Sequence, residues 1–230
     1  MYIYTMQDFK KEAALAAVKL IRENSTVGFG AGSTIAHLIS GIKEDQALKG
    51  TITAVTSSFL TRQLLEDTGF LVKEMTTTGE VDLYFDGCDQ FDRQLNALKS
   101  GGGIHTREKI LASMAREFIL LGDESKSVEK LDGKYPLVVE VIPDALAYVQ
   151  RHLQEMLRPR ECNVRLSKQK DGAVITENGN YLLDTWFNEF PDPAFVDEKT
   201  GRLPGVPGHS LFYQLARRAI IAGPGGITIK

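Results

Sequence analysis

Cysteine is scarce in this chain: Cys88 and Cys162 are the two in 230 residues. A pair cannot build the disulfide framework of a small secreted domain, and neither stands at a zinc-ligand spacing, so no metal site is expected. Positive charge is not in excess. Lys and Arg number 27 against 30 Asp and Glu, a net charge of -3. No global basic field draws the chain to nucleic acid or to an anionic membrane. No apolar run is long enough to span a bilayer. The opening MYIYTMQDFKKEAA lacks a basic start, an apolar stretch and a small-residue cleavage site, so no secretion signal is expected. Internal repeats and low-complexity tracts are absent as well. Together these absences point to a soluble cytoplasmic protein. With 43% hydrophobic, 8% aromatic and 25% charged residues, the chain has the makings of an ordinary globular core. Its length fits one large domain, or one plus a small insert.

What is present alternates. Residues 6–23 read as an amphipathic helix with Leu15, Val18 and Ile21 on one face. Residues 26–29 form a short strand that runs into Gly30-Ala31-Gly32-Ser33-Thr34, and a helix over 35–42 follows. Residues 51–56 are a strand. Ser57-Ser58 caps a helix over 59–68, which stops at Gly69. Strands are predicted over 70–75 and 81–85, a helix over 110–116, and over 118–122 a strand of the continuous apolar kind found in parallel sheets. Such alternation predicts an α/β fold, a Rossmann-like parallel sheet with helices on both faces. Beyond it the character changes. A strand over 138–142, a helix over 145–157 and strands over 163–166 and 181–184 read as a smaller α+β insertion. The predicted division is 1–135 with 208–230 for the Rossmann-like domain and 136–207 for the insertion, with Trp186 and Phe187 in its core or at an interface. Two last strands, over 219–222 and 227–229, close the chain.

Parallel sheets place ligands at the carboxyl ends of their strands. Several chemistry-bearing residues follow strands directly: the 30–34 turn, Ser57-Ser58, Asp86 and Asp89, and Lys126. Strand, glycine-rich turn, Ser-Thr and helix is the layout of a phosphate cradle. A tight strand-to-helix turn explains the same residues, because the lysine of a P-loop and the full dinucleotide spacing are missing. The stretch VDLYFDGCDQFDRQLNALKSGGGIHTREK, residues 81–109, is denser. Two acids at a strand end, Lys99 before a glycine run, and Glu108 on the first turn of a helix suit proton transfer beside a stabilised anion. Taken singly, each has a plainer reading. Glu108 is a first-turn acid favoured by the helix dipole, Lys99 a solvated turn lysine, the aspartates turn formers. Cys88 has no histidine placed to activate it and reads as a small packing residue.

The ordered set resembles type A ribose-5-phosphate isomerase over nearly the whole chain. The family's glycine loop stands here as Gly30-Ala31-Gly32-Ser33-Thr34, its serine turn as Ser57-Ser58, and its DGADE box as Asp86-Gly87-Cys88-Asp89-Gln90. Its KGGG…TREK block stands as Lys99-Ser100-Gly101-Gly102 leading to Thr106-Arg107-Glu108-Lys109. Ser125-Lys126, Pro136-Leu137-Val138-Val139-Glu140-Val141, Asn178-Gly179-Asn180 and Leu211-Phe212 follow in family order. The resemblance implies an aldose–ketose isomerase that interconverts ribose 5-phosphate and ribulose 5-phosphate through a cis-enediolate, with no metal or organic cofactor. It implies Glu108 as the base between C2 and C1. Lys99 and the N–H groups of Ser100, Gly101 and Gly102 would stabilise the enediolate. Asp86 would assist ring opening, and Asp89 would hold substrate hydroxyls and keep Lys99 oriented. Ala31, Gly32, Ser33 and Thr34, with Lys10 and Lys126, would hold the phosphate, and Gly87 and Cys88 would line the sugar. It further implies a homodimer or homotetramer whose partner is a pentose phosphate, not nucleic acid or membrane.

Three positions depart from the pattern: Gln90 for a glutamate, Ser100 for the first glycine of KGGG, and Ala31 for a threonine. They leave open an isomerase with altered pentose preference. A non-catalytic sugar-phosphate sensor is a second reading; the missing helix-turn-helix and the joint presence of Asp86, Lys99 and Glu108 count against it. A coenzyme A transferase, whose fold shares the glycine loop, is a third, and residues 99–109 do not resemble its pattern.

Overall fold

The computed structural model describes residues 8–230. Met6 and Gln7, where the first helix was expected to begin, lie outside the described residues. In chain order the first elements are α1 (Phe9–Val18), β1 (Thr26–Phe29), α2 (Ser33–Glu44), α3 (Gln46–Thr51), β2 (Thr53–Thr56), α4 (Phe59–Asp67) and β3 (Leu71–Lys73). Next come β4 (Val81–Asp86), β5 (Gln90–Phe91), β6 (Ala97–Leu98), α5 (His105–Met114), β7 (Ala115–Asp123), β8 (Leu137–Val141) and α6 (Leu146–Leu157). The last are β9 (Glu161–Val164), β10 (Tyr181–Trp186), α7 (Pro193–Gly201), β11 (Gly208–His209), β12 (Leu211–Phe212), β13 (Arg218–Gly223) and β14 (Gly226–Ile229).

Contacts divide the chain into two units: Met1–Gly87, Met114–Lys126 and Arg217–Lys230, and then Cys88–Ser113 with Ser127–Ala216. This division falls elsewhere than at 136–207. β5 and β6 pair with each other and β6 pairs with β12, so backbone hydrogen bonds tie residues 90–98 to the second unit. Sequence proximity to β4 gave no sign of that pairing.

The first unit is a mixed sheet of order β14-β13-β7-β4-β1-β2-β3. β3, β2, β1, β4, β7 and β13 run parallel, and β14 folds back antiparallel on β13. Because the six strands are parallel, the carboxyl ends of β7, β4, β1 and β2 lie side by side along one edge. α1 starts where Asp8 accepts the Lys11 N–H at 3.2 Å. It buries Ala13, Ala14 and Ala17. Small residues let α2 come close: a Cβ on Gly41 would stand 2.9 Å from Leu15 and 3.0 Å from Val18. α1 ends at Val18 rather than at residue 23, because tighter turns close it at Leu20 and Ile21 and Asn24 turns left-handed at φ 61°. α3 was not expected. Asp45 caps it, accepting the Leu48 N–H at 3.0 Å, and it absorbs Thr51, which the sequence reading gave to β2.

The second unit holds a four-stranded antiparallel sheet, β11-β8-β10-β9, and the three-stranded β12-β6-β5. α6 presents Val149, Leu153 and Leu157 at a spacing of four to a core with Leu137, Val139, Val141 and Leu183. Each such side chain stabilises by about 1.5–3 kcal/mol at most. Phe187 is in that core and Trp186 is partly exposed. α7 also went unread from sequence, although Asp192 caps it and Pro193 opens it.

Candidate active site

In the first unit the site is built around Asp86, the last residue of β4. Its Oδ1 accepts the N–H of Ala31 at 3.2 Å and of Gly87 at 2.8 Å, and its Oδ2 accepts the Tyr84 hydroxyl. Gly30 must be glycine: a Cβ there would stand 1.9 Å from the Asp86 carboxyl carbon. The Gly30 N–H donates to the Phe85 carbonyl at 2.8 Å, and its carbonyl accepts the Thr61 hydroxyl at 2.8 Å. So the aspartate after one strand ties down the turn after its neighbour. Gly32, at φ 94°, begins α2 with no side chain capping it, which leaves the first-turn N–H groups of Ser33 and Thr34 directed at incoming negative charge. Ser33 is exposed and Thr34 buried. Ser57 ends on a buried hydroxyl with no partner among the described residues, while Ser58 caps α4 through the Thr61 N–H.

Lys10 is exposed and Lys126 half-buried. Both act on Asp123 at the end of β7. Burial pushes that carboxyl up, but the Ser125 hydroxyl and N–H and the charges of Lys126 and Lys10 together hold it below its ordinary value. The structure therefore gathers Lys10, Lys126, the 30–34 turn, Ser57 and Asp86 at one edge of one sheet.

In the second unit Lys99 and Glu108 meet. The ammonium and the Glu108 Oε2 are 3.4 Å apart, and each side chain is 7% exposed. The Lys99 N–H donates to the Ser210 carbonyl at 2.9 Å, and its ammonium lies 5.6 Å from the centre of the Phe212 ring. Glu108 is on the first turn of α5, where its N–H donates to the Ile104 carbonyl. A carboxylate and an ammonium taken from water together are a base and an electrophile side by side.

Asp89 ties down the loop that follows Lys99. Its Oδ2 accepts the N–H of Ser100 at 2.6 Å and of Gly101 at 3.3 Å. Those donors, expected to face an enediolate, are given to Asp89 here. Positive φ falls on Gly102 and Gly103 and not on Ser100, so serine is unstrained at its position, and its hydroxyl donates to the Pro136 carbonyl at 2.6 Å. Gln90 is buried and pairs with the Asp132 backbone, donating at 3.2 Å and accepting at 3.4 Å. An ionised glutamate could accept there but not donate. Cys88 is partly exposed and in no disulfide.

Sequence reasoning missed a supporting layer. Arg165 donates to the Ser100 carbonyl at 2.8 Å and clasps Asp184 at 2.6–3.0 Å. Glu140, fully buried, accepts Thr176, Asn178 and Asn180 at 2.8–2.9 Å. Burial raises its pKa, yet the polar side chains of Thr106, Asn180, Asn178 and Thr176 hold it below the usual value. His105, wholly buried on α5, has both ring nitrogens unpartnered among the described residues. Burial foremost, with Lys109 nearby, lowers its pKa to about 3. His209 sits 3.3 Å from the Lys109 ammonium and 3.4 Å from Asp197. Burial and then Lys109 bring it to about 4, against the pull of Asp197. Burial also lowers Lys109 to about 8, with Asp197 opposing. The signals for this layer were the 136–141 strand with Glu140, Lys109 of the TREK segment and the NGN turn. Asp197 lies in a helix that the sequence pattern did not announce.

A family model for ribose 5-phosphate isomerase A (phosphoriboisomerase A) matches residues 53–226. A ribose-5-phosphate isomerase A from Methanothermobacter thermautotrophicus is 38% identical over 223 residues, 96% of this chain and 97% of its own. The structure of ribose 5-phosphate isomerase A from Methanocaldococcus jannaschii superposes with a TM-score of 0.88 at 34% identity, covering 97% of this chain and 98% of its own. A D-ribose-5-phosphate isomerase solved in complex with phospho-erythronic acid gives a TM-score of 0.89 at 31% identity, covering 96% and 97%. Likeness of sequence and of fold across almost the full length, with the aspartate, lysine and glutamate of the motif all present, makes this chain a member of the ribose 5-phosphate isomerase A family.

Proposed function

We infer that this protein is an aldose–ketose isomerase that interconverts D-ribose 5-phosphate and D-ribulose 5-phosphate. The observation that carries the reading is the buried Lys99–Glu108 pair at 3.4 Å in a chain of this family. The hydrogen on C2 of an aldose belongs to a very weak carbon acid. Removing it needs a base within about 3 Å and a cation or fixed donors at the oxygen that gains charge. Glu108 would take the C2 proton and return it to C1 on the same face of a cis-enediolate. Lys99 would stabilise the enediolate oxygen. Asp86, whose carboxylate already organises the 30–31 turn, would receive the anomeric hydroxyl proton as the furanose opens. Asp89 would fix the Ser100–Gly101 backbone and meet substrate hydroxyls, with Gly87 and Cys88 beside the sugar and Gly102 next in the loop.

The uncapped start of α2, with Gly32, Ser33, Thr34 and the Ala31 turn, supports a phosphate site. Lys10 and Lys126, whose charges both reach Asp123, would add positive charge at this site. Binding energy from the remote phosphate is then available to position the sugar. A relative's complex with phospho-erythronic acid, a phosphorylated sugar acid, supports a ligand that carries phosphate at one end and negative oxygen at the other. We further propose a cytoplasmic homodimer or homotetramer. The edge strand β14 exposes Ile227 and Ile229, which suits association, and light scattering on the purified protein reads the mass.

The deciding experiment is a coupled assay for ribulose 5-phosphate formed from ribose 5-phosphate. Wild-type protein turns over. Glu108→Gln, folded by circular dichroism, loses at least about 10³-fold in kcat. Glu108→Asp, which retracts the carboxylate by about one bond, loses on the order of 10²-fold. Binding of the sugar phosphate without turnover by the wild type would instead favour a sensor.

A further inference from the structure

Lys109 takes no part in the proposed reaction, yet its side chain is half-buried. Burying a lysine is costly, and structures tolerate it where the charge has work or partners. Its partners are specific. The ammonium is 3.3 Å from His209 Nδ1, and His209 Nε2 is 3.4 Å from Asp197 Oδ1. That order sets the tautomer: Nε2–H donates to Asp197, and Nδ1 accepts from Lys109. The same ammonium lies 5.5 Å from the centre of the Phe212 ring. The Lys99 ammonium lies 5.6 Å from that ring and 3.4 Å from Glu108. Two cations thus share one buried aromatic ring. One is tethered by a histidine and an aspartate, and the other is paired with the proposed base.

The physics of the sharing is directional. Each ammonium is drawn to the π-electrons of Phe212. The two like charges repel, and the burial of Lys99 and Phe212 weakens the screening between them. Lys109 is anchored by His209 at 3.3 Å, so the repulsion falls on Lys99, whose carboxylate partner is Glu108 at 3.4 Å. We propose that Lys109, anchored by His209 and Asp197, is a positioning residue that acts through the Phe212 ring to hold Lys99 against Glu108. This rests on the reading of Lys99 and Glu108 as the reacting pair. It adds a function for a lysine, a histidine and a phenylalanine that the reaction does not otherwise use.

The charged and titratable groups facing Lys109 are His209, Asp197 and, by field, His105, with Lys99 against the same ring. His105 and His209 stay neutral at working pH, since their pKa values are lowered to about 3 and about 4. Lys109 is lowered to about 8, so it is the member of the group that changes charge on the alkaline side, and kcat should fall there with it.

The test compares Lys109→Met, Lys109→Arg, Phe212→Leu and the double variant Lys109→Met/Phe212→Leu in the ribose 5-phosphate assay. Lys109→Met is expected to lower kcat roughly tenfold, the size of a buried cation–π contact, with KM within about twofold because the phosphate contacts are untouched. Lys109→Arg restores kcat and extends its plateau to higher pH, because guanidinium keeps its proton. Phe212→Leu lowers kcat by a similar factor, and the double variant loses no more than either single one, since both break one linkage. A folded Lys109→Met with wild-type kcat overturns the proposal, as does a double variant roughly a hundredfold down. If Lys109→Met does not fold, Phe212→Leu against Phe212→Tyr decides: equal kcat in the two overturns the proposal, and loss in the leucine variant alone upholds it. Glu108→Gln is run beside them. Turnover surviving in that variant sinks the assignment of the base, whereas its loss beside an additive double variant sinks only the role of Lys109.

Discussion

Acid should destabilise this protein earlier than its carboxylates alone would predict, and the cause is two histidines. His105 is wholly buried with unpartnered nitrogens, and its pKa is lowered to about 3. That of His209 is lowered to about 4. In the unfolded chain each takes a proton near pH 6.5. A folded-state pKa below the unfolded one means that the unfolded state binds the proton first. The stability these neutral rings supply is therefore complete above about pH 6.5 and is lost as pH falls toward 4 and 3. At pH 5 each unfolded histidine is almost fully protonated and each folded one almost wholly neutral, so each costs about 2 kcal/mol relative to pH 7. The pair costs about 4 kcal/mol, a large part of a typical domain's stability. Urea denaturation at fixed protein concentration, at pH 7 and pH 5, measures the loss. In His105→Leu, which removes the titrating ring without leaving an unpaired polar atom, the loss over that interval should shrink by about 2 kcal/mol. If wild type and His105→Leu lose the same stability between the two pH values, the ring is not held neutral in the fold and the reasoning fails.

Three further outcomes are expected. Gly30→Ala puts a methyl carbon 1.9 Å from the Asp86 carboxyl and drives that side chain off the Ala31 and Gly87 N–H groups; it should cost about 2–4 kcal/mol in urea denaturation and raise KM. Arg165→Met frees the Ser100 carbonyl and leaves Asp184 unpaired, costing about 1–3 kcal/mol. Adding Asp184→Asn should return part of that stability, and calorimetry on single and double variants reads it. Glu140→Gln keeps an acceptor for Thr176, Asn178 and Asn180 but removes the charge that strengthens all three bonds, so thermal unfolding should come several degrees earlier while KM stays near wild type.

The parallel sheet was legible because its strands announce themselves. Residues 118–122 are apolar without interruption, and a glycine or serine turn follows each of residues 26–29 and 51–56. Elements whose signal is a cap alone, α3 and α7, escaped notice because an Asp-led short helix has little periodicity to display. The motif residues were legible as a set, yet the reading of Asp89 as a partner of Lys99 missed that its oxygen takes two backbone N–H groups. Hydrogen-bond partners of that kind depend on where a loop returns in space, and residue type does not reveal it.

From the chain alone came the alternation of strand and helix, the glycine turn, and the acids and lysine between residues 86 and 108, since all of these rest on local preference and spacing. Tertiary structure decided that residues 88–113 pack with the second unit, that Lys99 and Glu108 stand 3.4 Å apart and buried, and that Lys109, His209 and Asp197 form one string. Those facts depend on β6 pairing with β12, residues far apart in sequence. Burial, which sets how strongly charges act and which of them titrate, exists only once such distant segments have closed over one another.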